Sequence, residues 1–248
     1  MSRRIRAARV AAPLAVLLAV SGCAVVEDFP HPPGPPVTDF VPTTAPEPRP
    51  EGDQLSPDGF DTVQRMAVRI RNVGCGSLST GSGFAIDAVT LITNKHVVAD
   101  SADLQVSTYD GRDIDVTAAS TATIADLAVV RTAADLPSYP ELAPADPAPG
   151  DPVTVVGYPQ GGRLTVTTGH VIGATTDPLN ENLGEVLVTD AQVEPGSSGS
   201  AVLNEEGQVV GVVYAKSASG QSFIVPVSTL RDLLADTTAF IPATSCVV

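Results

Sequence analysis

Three of the 248 residues are histidines, and one of them stands where an imidazole could do chemistry. His31 lies in a proline-rich stretch and His170 inside a presumptive strand, Thr167-Thr168-Gly169-His170-Val171. His96 instead follows the apolar run Leu91-Ile92-Thr93, in Thr93-Asn94-Lys95-His96-Val97-Val98, where its side chain can project from a rigid strand end into a cleft. A lone histidine is more often structural than catalytic, so its partners must carry the argument. Serine hydrolysis needs such an imidazole next to a hydroxyl, a carboxylate that fixes its tautomer, and backbone N–H groups aimed at the oxyanion.

The hydroxyl is offered by Pro195-Gly196-Ser197-Ser198-Gly199-Ser200-Ala201. Glycines on both sides of a serine permit a tight turn in which the N–H groups of Gly196 and Ser198 converge. Flexible loops use the same residue types. The Gly-x-Ser-x-Gly elbow of another hydrolase class is absent, because Ser200 stands two residues after Ser198. The carboxylate is offered by Asp126, an isolated acid entering the apolar segment Ala125-Asp126-Leu127-Ala128-Val129-Val130. Burying it there is costly without a hydrogen-bonded partner, whereas an aspartate at a solvated strand end needs none. Neither His pairs nor Cys clusters occur at ligand spacing, so no metal and no cofactor is expected. Asp110, Asp113 and Asp115 could hold Ca²⁺, but they also read as a solvated turn.

Positioning three residues so far apart in the chain falls to strands. From about Gly59 onward, short apolar runs alternate with turn signals, the pattern of an all-β protein. Twelve candidate strands follow: Ala67-Ile70, Gly83-Ile86, Thr90-Thr93, Leu104-Ser107, Asp113-Ala118, Leu127-Arg131, Pro152-Gly157, Arg163-Val171, Glu185-Thr189, Ser200-Asn204, Val209-Tyr214 and Ser222-Pro226. Asp110-Gly111 and Glu206-Gly207 would each close a hairpin. The segment Glu141-Asp151, with three prolines, divides these strands into two groups of six. The expected fold is therefore two six-stranded antiparallel β-barrels, over about 62–140 and 152–226. A short C-terminal helix is expected over about 227–236, with Ser228 or Thr229 available to cap it. The scarcity of helices also argues against an α/β-hydrolase.

Together these segments resemble the trypsin-like (chymotrypsin-fold) serine peptidases, specifically the HtrA (Deg) branch, over about residues 65–232. Thr93 to Val98 is similar to the histidine motif and Asp126 to Val130 to the aspartate motif. Thr189-Asp190-Ala191 running into Gly196-Ser197-Ser198-Gly199 is similar to the serine motif. Gly81-Ser82-Gly83-Phe84, Val155-Val156-Gly157-Tyr158-Pro159 and Phe223-Ile224-Val225-Pro226 fit the same pattern. The resemblance implies His96 as general base, Asp126 as its orienter, Ser198 as nucleophile, and Gly196 with Ser198 as oxyanion donors. It also implies substrate-pocket walls from Gln192 to Pro195, from Tyr214, Ala215 and Lys216, and from Ser222. Lys216 could attract an acidic side chain; solvent is its expected direction. Protein or peptide substrates follow.

Departures from the family pattern limit what carries over. Ser197 stands where chymotrypsin relatives have Asp, so activation by an inserted N-terminus is not expected. Gly-x-Ser-Gly-Ser also resembles glutamyl endopeptidases, but these place a His where Val213 stands, so a preference for cleavage after acidic residues is not implied. Only about 13 residues follow Ala235, against the roughly 50 that a small domain needs, so no PDZ domain is expected.

Composition narrows the setting. Acidic residues outnumber basic ones 28 to 14, for a net charge of −14. Nucleic-acid binding is thereby disfavoured, since phosphate affinity comes from Lys and Arg. Residues 1–22 carry Arg3, Arg4, Arg6 and Arg9 before the apolar stretch Val10-Val20, the form of a secretory signal and too short for a bilayer span, which needs roughly 20 residues. Val20-Ser21-Gly22-Cys23 resembles a bacterial lipobox, which implies lipidation of Cys23; an ordinary signal with an incidental Cys is the alternative. Residues 28–57 hold ten of the 22 prolines. Such a segment reads as a tether (23–57 with the lipidated Cys) in front of a domain over 58–248. At about 3.1 Å per residue, roughly thirty residues reach up to about 90 Å. The expected location is extracytoplasmic, lipid-anchored to the outer face of a bacterial cell membrane. Apart from Cys23, Cys75 and Cys246 remain, an even number that fits a disulfide in an oxidising compartment, with two free thiols as the alternative. Besides a peptidase, two other readings stay open: a non-catalytic binding module on the same barrels, and a scaffold whose proline arm recruits partners.

Overall fold

The computed structural model describes residues 61–178, 184–216 and 220–246. The expected leader, Cys23 and the tether lie outside the described residues. A one-turn helix α1 (Thr62–Arg65), closed by a capping box from Asp61, leads into β1 (Ala67–Gly74) and β2 (Leu78–Asp87). Then come β3 (Thr90–Thr93), α2 (Lys95–Val98), β4 (Ser101–Thr108), β5 (Asp113–Ile114), β6 (Val116–Ala122) and β7 (Ala128–Thr132). After the proline-bearing linker follow β8 (Pro152–Gly157), β9 (Thr165–Thr176), β10 (Glu185–Thr189), β11 (Ala201–Leu203), β12 (Val209–Lys216) and β13 (Ser222–Pro226). The chain finishes with α3 (Val227–Ala235) and β14 (Phe240–Pro242).

The second group of strands closes into the expected six-stranded barrel, in the order β10-β13-β12-β11-β8-β9, with β9 also paired to β10. The first group forms the other half of the expected two-barrel fold, as an eight-stranded sheet, β14-β6-β7-β3-β2-β1-β4-β5, in place of a closed barrel of six. Two things produce the difference. The run Asp113-Ala118 breaks into β5 and β6, and the C-terminal β14 adds to the edge of β6, Phe240 opposite Ala122. Pro242 is tolerated there because an edge strand can lack a donor on its outer side.

One core joins the two halves: Met66, Phe84, Ile92 and Leu127 from the first sheet meet Val156, Leu203, Val212 and Val225 from the barrel and Leu230 and Leu233 from α3. Val227, Leu230 and Leu233 recur every three residues, so α3 buries a single face. Its N-terminus is not capped by Ser228 or Thr229 as expected. Asp146 of the linker takes that role, accepting from the Ser228 N–H at 2.9 Å and from its hydroxyl at 2.6 Å. A carboxylate also suits the positive end of the helix dipole. Arg231 donates to the Pro144 carbonyl at 2.8 Å and pins the linker further.

Cys75, in the turn between β1 and β2, is bonded to Cys246, 171 residues away with a Cα separation of 5.5 Å. The tail is also stitched by the Cys246 N–H to the Ser101 carbonyl at 3.0 Å. A bridge closing so long a loop restricts the unfolded chain by about 5 kcal/mol in the chain-entropy account. Cys246→Ser should therefore lower the unfolding midpoint by roughly 10–20 °C, read by thermal denaturation against the oxidised wild type. An unchanged midpoint would show that the bridge adds no restraint.

Candidate active site

All four residues of β3 are buried, and the chain leaves the strand at Asn94. His96 is not at the strand end as expected. It sits in the one-turn helix α2, which tucks Val97 and Val98 into the core and leaves the imidazole outside, its side chain 51% exposed. Asp126, between β6 and β7, grips that residue twice. Its Oδ2 lies 2.6 Å from His96 Nδ1, and its Oδ1 accepts from the His96 backbone N–H at 3.0 Å. A carboxylate only accepts, so Nδ1 carries the ring proton and Nε2 presents its lone pair away from Asp126. Buried Asn94 makes no cap bond; its Nδ2 donates to the Asp126 carbonyl at 2.7 Å, fixing the backbone of the acid as well.

Ser198 lies on the turn between β10 and β11. Gly196 and Gly199 have φ of +93° and +86°, which L side chains rarely adopt. A Cβ at Gly199 would also fall 2.1 Å from the Ser82 carbonyl oxygen and 2.5 Å from Thr93 Oγ1. The turn is thus pressed against β2 and the end of β3, three residues before His96. Ser82 N–H donates to the Ser198 carbonyl at 2.8 Å, and Gly199 N–H to the Val213 carbonyl at 2.8 Å. The carbonyls of Pro195 and Ser197 accept from Gln160 N–H at 2.6 Å and from Ser200 N–H at 2.9 Å. In a trans peptide the N–H points opposite to the carbonyl, so these two bonds also set the directions of the Gly196 and Ser198 N–H groups. Neither N–H has an acceptor among the described residues. The Ser198 hydroxyl makes no hydrogen bond to His96 among the described residues. Catalytic hydrogen bonds of this type are often long without substrate and tighten in the Michaelis complex.

The expected pocket walls divide into exposed and core residues. Gln192 and Pro195 are exposed and Ala215 is half-buried, and Gln192 lines a cavity of about 100 Å³ under the serine loop. Ser222 is fully buried, with its hydroxyl donating to the Ala191 carbonyl at 2.9 Å, so it offers substrate no polar atom. Lys216 does not simply face solvent, because its Nζ lies 3.4 Å from Glu194 Oε1. Tyr214 is buried, and its hydroxyl donates to Asp177 Oδ1 at 2.6 Å. Burial, then Asp177, push this phenol well above its ordinary pKa, so it stays a neutral donor. Tyr214→Phe should cost about 1–3 kcal/mol of stability by stripping a buried carboxylate of a donor, measurable by denaturant unfolding. A cost near zero would mean that the bond contributes nothing net.

Ser197 is buried, and its hydroxyl accepts only a long bond, 3.4 Å, from Glu194 N–H. Of the acids considered for Ca²⁺, Asp113 accepts from Ser107 Oγ at 2.8 Å and Asp110 from Thr108 Oγ1. Among the described residues no cluster of His, Cys, Asp or Glu is placed to hold a metal ion. Four residues to which the sequence assigns no role are prominent at the site: Ser82, Asn94, Gln160 and Asp177. Only Ser82 and Asn94 carried a signal, as polar residues inside the Gly-Ser-Gly and Thr-Asn-Lys-His segments.

A family model described as a trypsin-like peptidase domain matches residues 81–212. The chain is 35% identical over 164 residues to the mitochondrial serine protease HTRA2 of Bos taurus, covering 63% of this chain and 36% of that one. It is 34% identical over 163 residues to a probable periplasmic DegP-like serine endoprotease of Hahella chejuensis, covering 63% and 35%. The chain thus spans about a third of the length of these curated relatives. Among solved structures, the active form of the Rv3671c protease from M. tuberculosis is similar with a TM-score of 0.65 at 26% identity, over 91% of this chain and 100% of that one. The serine endoprotease from Yersinia pestis is similar with a TM-score of 0.61 at 28% identity, over 70% and 63%.

Proposed function

Because the chain belongs to the trypsin-like peptidases and is similar to their HtrA-type members, we propose that it is a serine endopeptidase that cleaves protein or peptide substrates through His96, Asp126 and Ser198. His96 Nε2 takes the Ser198 hydroxyl proton as Oγ attacks the scissile carbonyl carbon. The oxyanion is received by the Gly196 and Ser198 N–H groups, and the imidazolium is balanced by Asp126. Collapse of the adduct breaks the C–N bond, with Nε2 returning the proton to the leaving amine. Water, deprotonated by His96, then hydrolyses the acyl-enzyme and frees the new carboxylate. The observation that carries this reading is the double grip of Asp126 on His96, 2.6 and 3.0 Å, which sets the tautomer that a general base needs. Cleavage of casein or a peptide library by the purified protein, stopped by a serine-directed covalent inhibitor, is the expected result.

A second reading, a binding module without turnover, is favoured by the absence of a Ser198–His96 hydrogen bond among the described residues. Failure of well-folded wild type to cleave any library member would decide for it. The basic leader, Cys23 and the proline tether support a lipid-anchored enzyme outside the bacterial cell membrane. With acids so far in excess, such a body is repelled by anionic lipid, and attachment would come from acyl chains.

A further inference from the structure

We propose that Ser82 is a positioning residue whose hydroxyl holds the serine loop in the shape that presents the Gly196 and Ser198 N–H groups to the oxyanion; this rests on the peptidase reading above. Ser82 lies in β2 of the first sheet and is fully buried. All its polar atoms are engaged across three segments. Its Oγ donates to the Gly196 carbonyl at 2.8 Å and accepts from the Tyr158 N–H at 2.8 Å. Its N–H donates to the Ser198 carbonyl at 2.8 Å, and its carbonyl accepts from Thr93 Oγ1 at 2.7 Å.

Gly196 therefore sits between two anchored peptide planes. The 196–197 plane is held by Ser82 Oγ, and the 195–196 plane by Gln160 N–H on the Pro195 carbonyl. The second anchor depends on the first residue too, because Gln160 belongs to the tight turn Pro159–Gly161, which Ser82 Oγ fixes at Tyr158 N–H. Between the two planes Gly196 has a φ of +93°, and a glycine can rotate where other residues cannot. Within Glu194–Ser200 the remaining side-chain bonds, among the described residues, are the exposed Lys216–Glu194 pair and the long contact from Glu194 N–H to Ser197 Oγ. With serine in place of a carboxylate at 197, no buried ion pair braces the loop from within. Among the described residues, Ser82 is the one buried side chain of the other half of the molecule that hydrogen-bonds to Glu194–Ser200. Removing it frees the 196–197 plane at the Gly196 carbonyl and leaves the buried Tyr158 N–H without its partner, which loosens the Gln160 anchor of the 195–196 plane and with it the direction of the Gly196 N–H.

The test compares wild type, Ser82→Ala and Ser82→Thr with two probes of the same peptide sequence. The first ends in an aldehyde, which adds to Ser198 Oγ as a hemiacetal and puts its oxygen in the oxyanion site. The second ends in the corresponding alcohol, which cannot add. Ser82→Ala should lower kcat about 10²-fold, the usual loss for one oxyanion donor, with KM within about threefold. Aldehyde affinity should fall in step with kcat while alcohol affinity holds. Ser82→Thr, which keeps the hydroxyl, should recover most of the aldehyde-to-alcohol ratio. Both probes require folded protein, so their ratio is independent of the folded fraction. A merely structural role would lower the unfolding midpoint and leave the ratio at its wild-type value, which overturns the proposal. A wild type that binds the aldehyde no better than the alcohol overturns both this proposal and the peptidase reading.

Discussion

Ser198→Ala should lower kcat on a peptide substrate by about 10⁶-fold while the protein stays folded. The side chain is half-buried and makes no hydrogen bond to His96 among the described residues, so deleting one oxygen removes little from the native state. The backbone contacts of the turn, the Ser82 N–H on the Ser198 carbonyl and the Gly199 N–H on the Val213 carbonyl, do not involve the hydroxyl. The loss is thus purely chemical: no acyl-enzyme can form. Adding His96→Ala to this variant should cost almost nothing more, because a base without a nucleophile has no proton to take. Single-turnover kinetics with an unfolding midpoint as control measure both points. A fall below tenfold in a folded variant would remove Ser198 from the mechanism.

Asp126→Asn should lower kcat by about 10⁴-fold. The reason lies in how fully the carboxylate is used. One oxygen accepts from the His96 backbone N–H at 3.0 Å and the other faces Nδ1 at 2.6 Å. An amide has a single acceptor oxygen, so one of these places must be taken by an NH₂ group. Facing the ring, the NH₂ forces Nδ1 to accept and moves the proton to Nε2, where a base needs a lone pair. Facing the backbone, it opposes another donor and loosens the hold on α2. Steady-state kinetics of the variant decide the matter; wild-type turnover would mean that the carboxylate does not set the tautomer.

The strands Thr90–Thr93, Pro152–Gly157, Glu185–Thr189 and Ser222–Pro226 were legible to the residue because each is a short apolar run with turn chemistry at its ends. The order of histidine, aspartate and serine segments was legible for the same local reason. What escaped was set by partners distant in sequence or by elements too short for a period. The four residues of α2 span barely more than one helical turn, so Lys95–Val98 carries no helical periodicity. Phe240–Pro242 is a strand only because β6 offers an open edge, which the tail cannot announce. Asp146 reaches Ser228 across 82 residues, and Ser82 reaches Tyr158 and Gly196 across 76 and 114. Ser222 was a pocket wall by family resemblance alone, and a resemblance does not say which partner its hydroxyl meets; here it is the Ala191 carbonyl.

Peptidase chemistry here requires one thing above all, that His96 makes Ser198 reactive. Treating the purified full chain with a fluorophosphonate and locating the adduct by peptide mass spectrometry tests it most directly. The expected result is a single adduct on Ser198, absent in Ser198→Ala and formed far more slowly in His96→Ala. An adduct on another residue, retained labelling of folded Ser198→Ala, or no labelling of folded wild type would contradict it.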